Sequence, residues 1–138
     1  MGKRTKAREC AVQMLYQWDV NRDPMDRVIA LFWKIRTSTD ETQKSAERLA
    51  RGAQRTVESL DEAITKALTN WRFERVAAID RNILRIGAYE LMSEPDTPTS
   101  VIIDEAVEMA KRFGEADSPS FVNGVLDAIR GSARGAKK

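Results

Sequence analysis

Residues 75–92 read RVAAIDRNILRIGAYELM, and their periodicity decides the architecture. Val76, Ile79, Ile83 and Ile86 share one side of a 3.6-residue helix, while Leu84, Ala88 and Leu91 lie on another. A helix that is apolar most of the way round belongs at the centre of a bundle, because more than one face needs covering. Glu90 projects into the Ile79–Ile83–Ile86 stripe, where an unpaired carboxylate would be costly. The pattern therefore predicts a partly buried Glu90 that accepts hydrogen bonds from backbone N–H groups or an arginine.

Outward from that helix, apolar spacing stays close to 3.6 and nowhere sustains a strand-like alternation. In residues 4–20, Ala7, Cys10, Ala11, Met14, Leu15 and Trp18 make one face, and Asn21-Arg22-Asp23-Pro24 ends the helix. Pro24 opens a second helix through about Arg36, with Val28, Ile29, Phe32 and Ile35 facing inward. Ser38-Thr39-Asp40-Glu41 has capping-box spacing for a third. From there Ala46, Ala50, Ala53, Val57, Leu60, Ile64 and Trp71 predict one long helix over 40–71 or two nearly collinear ones. Pro95 and Pro98 mark a loop before a helix from about Thr99 to Phe113, with Phe113 on its core face and Gly114 as its stop. Asp117-Ser118-Pro119 then starts a last helix, about 119–131, which buries Phe121 or Val122 with Val125, Leu126 and Ile129. The expected fold is all-α, a single domain over 1–131 of six or seven helices, with 132–138 a frayed basic tail.

The chain has 138 residues, enough for one core without staples. It contains no histidine and one cysteine, so an imidazole base and a zinc site are both excluded. Cys10 reads as a small buried hydrophobe and fits a reducing, cytoplasmic setting. The glycines form neither a dinucleotide fingerprint nor a phosphate loop, and the carboxylates sit on solvated helix faces. No cofactor, metal or catalytic residue is expected. No apolar run is long enough to span a bilayer, and the basic N-terminus does not continue as a signal peptide.

Charge is uneven. Lys3, Arg4, Lys6 and Arg8 face only Glu9 in the first ten residues, and the last eleven carry Arg130, Arg134, Lys137 and Lys138 without an acid. The span between them holds 15 basic and 20 acidic residues. Basic ends of this kind suit a phosphate backbone, where each neutralised phosphate releases counterions; they also serve simply as solubilisers. On the first helix the 100° step turns Val12 and Tyr16 away from the Met14 face, with Thr5 and Arg8 on that same back side. An exposed ring beside cations is how unpaired bases are held, although Tyr16 could equally pack under a neighbouring element. Phe121 is similarly open to two readings, a core anchor or a surface ring beside free helix N–H donors.

Three segments carry a resemblance: ARECAVQMLY at 7–16, DRNILRIGAYEL at 80–91, and IDEAVEMAKRFG at 103–114 followed by FVNGVLD at 121–127. In this order they resemble the bacterial NusB family of transcription antitermination factors. The resemblance implies two small helical bundles, no catalysis, and binding of single-stranded boxA RNA from ribosomal RNA leader transcripts. It further implies pairing with NusE, a small-subunit ribosomal protein, within an RNA polymerase antitermination complex that includes other Nus factors. By position it implies RNA contacts at Lys3, Arg4, Lys6, Arg8, Tyr16, Asp117, Ser118 and Phe121, and a partner or RNA role for Asp80. The arm is less arginine-dense than family arms often are, and Pro119-Ser120 stands where a basic pair can occur, which weakens phosphate contacts there. Some family members self-associate, so a homodimer is one reading. NusB-like domains also guide ribosomal RNA cytosine methyltransferases, which leaves a detached RNA-guiding module as the alternative, and a purely structural adaptor as a third.

Overall fold

The computed structural model describes residues 2–134, apart from the Lys3 side chain. Among these residues the chain forms α1 (Lys3–Asn21), α2 (Met25–Ile35), α3 (Asp40–Arg55), α4 (Val57–Ala67), a single 3-10 turn (Phe73–Arg75), α5 (Ala78–Ser93), α6 (Thr99–Phe113) and α7 (Ser118–Arg134). No strand occurs among them. The first three helices pack together with α1 chiefly against α3, the last four pack together, and α5 touches both groups. This is the all-α, two-bundle arrangement expected, with 75–92 at its centre. Ile83, Leu84, Ile86 and Ala88 are wholly buried.

The local signals explain the breaks. Thr39 caps α3, its Oγ1 accepting from the Thr42 N–H at 3.1 Å, so the start falls one residue beyond Ser38. The 40–71 stretch is two helices that separate at Thr56 and part company. α3 stays with α1, and α4 packs on α5 and α7. Trp71 consequently leaves the expected apolar seam and stands in the loop after α4, 55% exposed. Ile35, expected inside, is 84% exposed at the last residue of α2, nearly one turn beyond the buried Phe32. Residues 132–134, expected in a frayed tail, instead continue α7, which runs to Arg134, whose guanidinium donates to the carbonyl oxygens of Glu90, Leu91, Glu94 and Thr97. Those carbonyls lie at and just beyond the C-terminal end of α5, where a cation complements the helix dipole. Residues 135–138 lie outside the described residues.

Two glycines let helices close in. A Cβ on Gly52 of α3 would lie 2.3 Å from the Tyr89 hydroxyl and 2.4 Å from its ring, and one on Gly87 would meet Leu126 at 2.8 Å. A rigid ring cannot yield as a flexible side chain does. Gly52→Ala should therefore destabilise the chain by about 1–3 kcal/mol despite alanine's better helix propensity. Gly124→Ala, on an α7 face with nothing within 4 Å, should instead stabilise it by up to about 1 kcal/mol. Urea midpoints of the two variants, moving in opposite directions, check both statements.

Candidate nucleic-acid interface

α1 packs on α3 and on α5, and side chains of α6 reach it through Glu105 and Arg112, which decides which of its residues reach solvent. Val12, expected on an outward face, is fully buried. Arg8 is a correction of the same kind. Its guanidinium is 4% exposed and turned inward, donating to both carboxylate oxygens of Glu90 at 2.7 and 2.9 Å and to Glu105 of α6 at 3.2 Å. Glu90 thus has the arginine partner its position demanded, and Arg8 is a structural cation, not an RNA-facing one. Thr5 donates to the same Glu105 at 3.0 Å. Arg4 and Lys6 remain exposed on the opening turns of α1. The Lys3 side chain lies outside the described residues.

Tyr16, on the same helix, is 37% exposed. It lines a groove of about 490 Å³ with Gln13, Gln17, Asn21, Arg36, Ile79 and Phe113. Phe113, expected in the core, lies at the surface with the Arg112 guanidinium 5.7 Å from its ring centre. Arg36 hydrogen-bonds Gln13 and rests 4.6 Å over the Phe32 ring. The groove is therefore an aromatic and amide surface with guanidinium groups at its edges.

Across the start of α5 lies a second cavity of about 410 Å³. Phe121, half-buried, and the exposed Trp71 meet there with ring centres 6.1 Å apart at 70°. Asp80 and Ser118 are both buried against it. The Ser118 hydroxyl accepts from the Glu115 N–H at 2.9 Å and donates to Asp80 Oδ2 at 2.9 Å. Asp80 Oδ1 is buried and has no hydrogen-bond partner. Burial pushes the Asp80 carboxyl up, the Ser118 bond opposes this, and the Asp117 and Glu115 carboxylates reinforce it. Asp117 is exposed, and its carbonyl accepts from the Phe121 N–H at 3.1 Å. Ser118 is thus a hidden brace for Asp80 and the α6–α7 turn, while Asp117 and Phe121 face the cavity.

Sequence reasoning missed Trp71, Arg75 and Phe113. Asn70 was a usable signal for Trp71, because it interrupts the helical run just before the ring. Phe113 is the last residue of α6, directly before Gly114, so no following turn shields it. Elsewhere Cys10 is buried, and burial pushes its thiol up, as suits an inert core residue. Among the described residues no group of acidic or cysteine side chains could hold a metal ion, and no helix is long and apolar enough to cross a membrane.

Among the described residues this is an all-helical protein with exposed rings, amides and cations at two surface cavities. Comparison with known proteins gives the class a family. Residues 5–130 match the NusB family model. The transcription antitermination protein NusB of Sorangium cellulosum is 48% identical over 94% of this chain and 92% of its own length. That of Anaeromyxobacter dehalogenans is 43% identical over 93% and 90%. Among solved structures, NusB of T. maritima superposes with a TM-score of 0.83 at 33% identity, covering 94% of this chain and 91% of that one. A complex of antitermination factors NusB and NusE with double-stranded RNA gives 0.88 at 27% identity, covering 96% and 98%. The chain belongs to the NusB family, whose members are transcription antitermination proteins and not enzymes.

Two outcomes follow from the buried charges. Arg8→Ala leaves Glu90 buried without its partner and should cost about 3–5 kcal/mol in urea unfolding, with Glu90→Gln in the same chain recovering part of the loss. The folded chain binds the Asp80 proton more tightly than the unfolded chain does. Asp80 therefore favours the fold below the unfolded pKa of about 3.9, and that advantage fades as pH rises from there toward the raised folded value. Asp80→Asn keeps an acceptor for Ser118 and removes the titration. Its melting temperature relative to the parent chain should climb between pH 3.5 and 7.

Proposed function

We propose that this chain is a cytoplasmic transcription antitermination factor, a single helical domain over 1–131 that binds single-stranded, boxA-type RNA of ribosomal RNA leader transcripts together with NusE. It does so within an RNA polymerase antitermination complex that includes other Nus factors. The observation that carries the reading is Tyr16, an outward ring in a groove edged by guanidinium groups, on the helix whose opening turns expose Arg4 and Lys6. Rings of this kind stack on unpaired bases, whereas a duplex keeps its bases stacked on one another. Lys3, Arg4 and Lys6 supply phosphate contacts; Tyr16, Asp117 and Phe121 meet bases. Arg8, Ser118 and Asp80 hold those groups in place.

A NusB–NusE complex with double-stranded RNA among the structural neighbours supports NusE and RNA as partners, and the single-stranded form of the RNA rests on the exposed ring. The alternative, a detached guide for a methyltransferase, gains no support from the curated relatives, which are transcription antitermination proteins.

The test is binding of a 12-nucleotide boxA-like RNA across a salt series, with and without NusE. Tyr16→Ala should weaken binding about 5- to 100-fold, as expected for loss of one stacked base. Arg4→Ala with Lys6→Ala should flatten the logarithmic salt slope by roughly 0.7 per lost phosphate contact. RNA affinity that ignores all three substitutions overturns the assignment.

A further inference from the structure

Phe113 closes α6 and stands 36% exposed at the wall of the Tyr16 groove. Beyond it Gly114 is extended, so no later turn of α6 holds the ring. An exposed ring on a last turn is free to change rotamer, and ordering it on a ligand costs binding free energy. Its neighbour Arg112 touches both that ring and α1. The Arg112 guanidinium carbon lies 5.7 Å from the centre of the Phe113 ring, while Nη1 of the same group meets Glu9 Oε2 at 2.5 Å.

Two plainer roles for Arg112 fit less well. A cation in the last turn of a helix complements the dipole from solvent, but Lys111 already stands there, paired with Glu108 on the exposed face, whereas Arg112 reaches back to another helix. Nor does Glu9 depend on Arg112 for a cationic neighbour, since Lys6 and Arg36 line the small cavity beside it. Arg112 instead joins a fixed point to an unsupported ring. Glu9 is the fixed point, 6% exposed and seven residues before Tyr16 on the same side of α1. Glu105 near the middle of α6 is also tied to α1, through Thr5 and Arg8, but it lies about 12 Å short of Phe113 along the helix axis. Arg112 makes the tie at the last turn, where the ring is.

We propose that Glu9 and Arg112 are positioning residues for RNA: their ion pair fixes the guanidinium, and the guanidinium holds the Phe113 ring toward the groove as a stacking surface at a constant place relative to Tyr16. The carboxylate acts through the guanidinium, and the guanidinium acts through the ring. This rests on the RNA-binding reading and deepens it, by naming what keeps one wall of the Tyr16 groove in order before RNA arrives.

The experiment measures the full chain with a 12-nucleotide boxA-like RNA by fluorescence anisotropy across a salt series. Glu9→Gln removes a negative charge, which by itself favours a polyanion. It should nevertheless weaken binding about 2- to 10-fold, the cost of ordering one freed side chain, with the logarithmic salt slope unchanged. Arg112→Gln should act alike, and Arg112→Lys, which keeps a cation for both Glu9 and the ring, should lose less. Phe113→Ala should weaken binding about 5- to 100-fold, and in that chain Glu9→Gln should add nothing, because the group it acts through is gone. Circular dichroism melts confirm that each variant is folded. A Glu9→Gln chain that binds as tightly as the parent or tighter, with Arg112→Gln flattening the slope by roughly 0.7, makes Arg112 a direct phosphate contact and overturns the brace. A Glu9→Gln loss that persists undiminished in the Phe113→Ala chain also overturns it. A parent chain that binds no RNA overturns the brace and the RNA reading together, whereas binding that falls with Tyr16→Ala but ignores Glu9→Gln and Arg112→Gln overturns the brace alone.

Discussion

The arrangement of the whole molecule depends on charges buried between α1 and α5. Arg8 near the start of α1 meets Glu90 near the end of α5. Asp19 near the end of α1 meets Arg81 at 2.7 Å, Asn82 at 3.0 Å and Arg85 at 3.1 Å near the start of α5. The two helices are therefore antiparallel and pinned at both ends, with the pins about 16 Å apart along α1. Apolar packing alone tolerates small slides of one helix along another; the buried bidentate Arg8–Glu90 pair does not, because any misfit strands a desolvated charge, and the partly exposed Asp19 cluster fixes the other end. Burial pushes the Asp19 carboxyl up, and the surrounding arginines and Asn82 more than offset it, holding it below its ordinary range.

The second pin also joins the two bundles. Arg85 turns one edge of its guanidinium to Asp19 of α1 and donates through Nε and Nη2 to both oxygens of Asp61 on α4, each at 2.8 Å. A planar fork with five donors can serve two carboxylates at once, which an ammonium on the same stem could not do with fixed geometry. The start of α5 is thereby fixed against α1 and α4 together. Ile79 in the Tyr16 groove and Asp80 in the Trp71–Phe121 cavity are consecutive residues there. The two surfaces therefore hold a set separation without any contact of their own.

Periodicity made the helices, their order and the central place of 75–92 legible, because each rests on spacing within one segment. The need of Glu90 for a partner was legible for the same reason: a carboxylate in an apolar stripe declares its own problem. The identity of that partner was not, since Arg8 looks like any other member of a basic run until α5 lies over it. Single-helix geometry assumed one buried face for α1, whereas α3 and α5 bury two, so Val12 and Arg8 turned inward while Tyr16, nearer the open end, stayed out. Trp71 and Phe113 were misassigned where a helix ends, because periodic reasoning extends a face past the last turn that anything covers. Ile35 failed identically.

That pattern of failures bears on function. Residues at helix ends, just beyond the packed layers, are where large side chains can remain in water at little cost to the core, and the surface rings of this chain concentrate there. Phe113 closes α6, Trp71 follows α4, and Phe121 opens α7. Their supports are rigid: Ser118 and Asp80 brace the turn beneath Phe121, and the Arg85 guanidinium lies 5.7 Å from the ring of Phe73, just after Trp71. A ligand that stacks on such rings meets groups already oriented, so little ordering entropy opposes it. The charge division follows the same logic. Cations stand exposed on the opening turns of α1, while carboxylates gather around Asp80, so a polyanion is attracted to the first surface and repelled by the second.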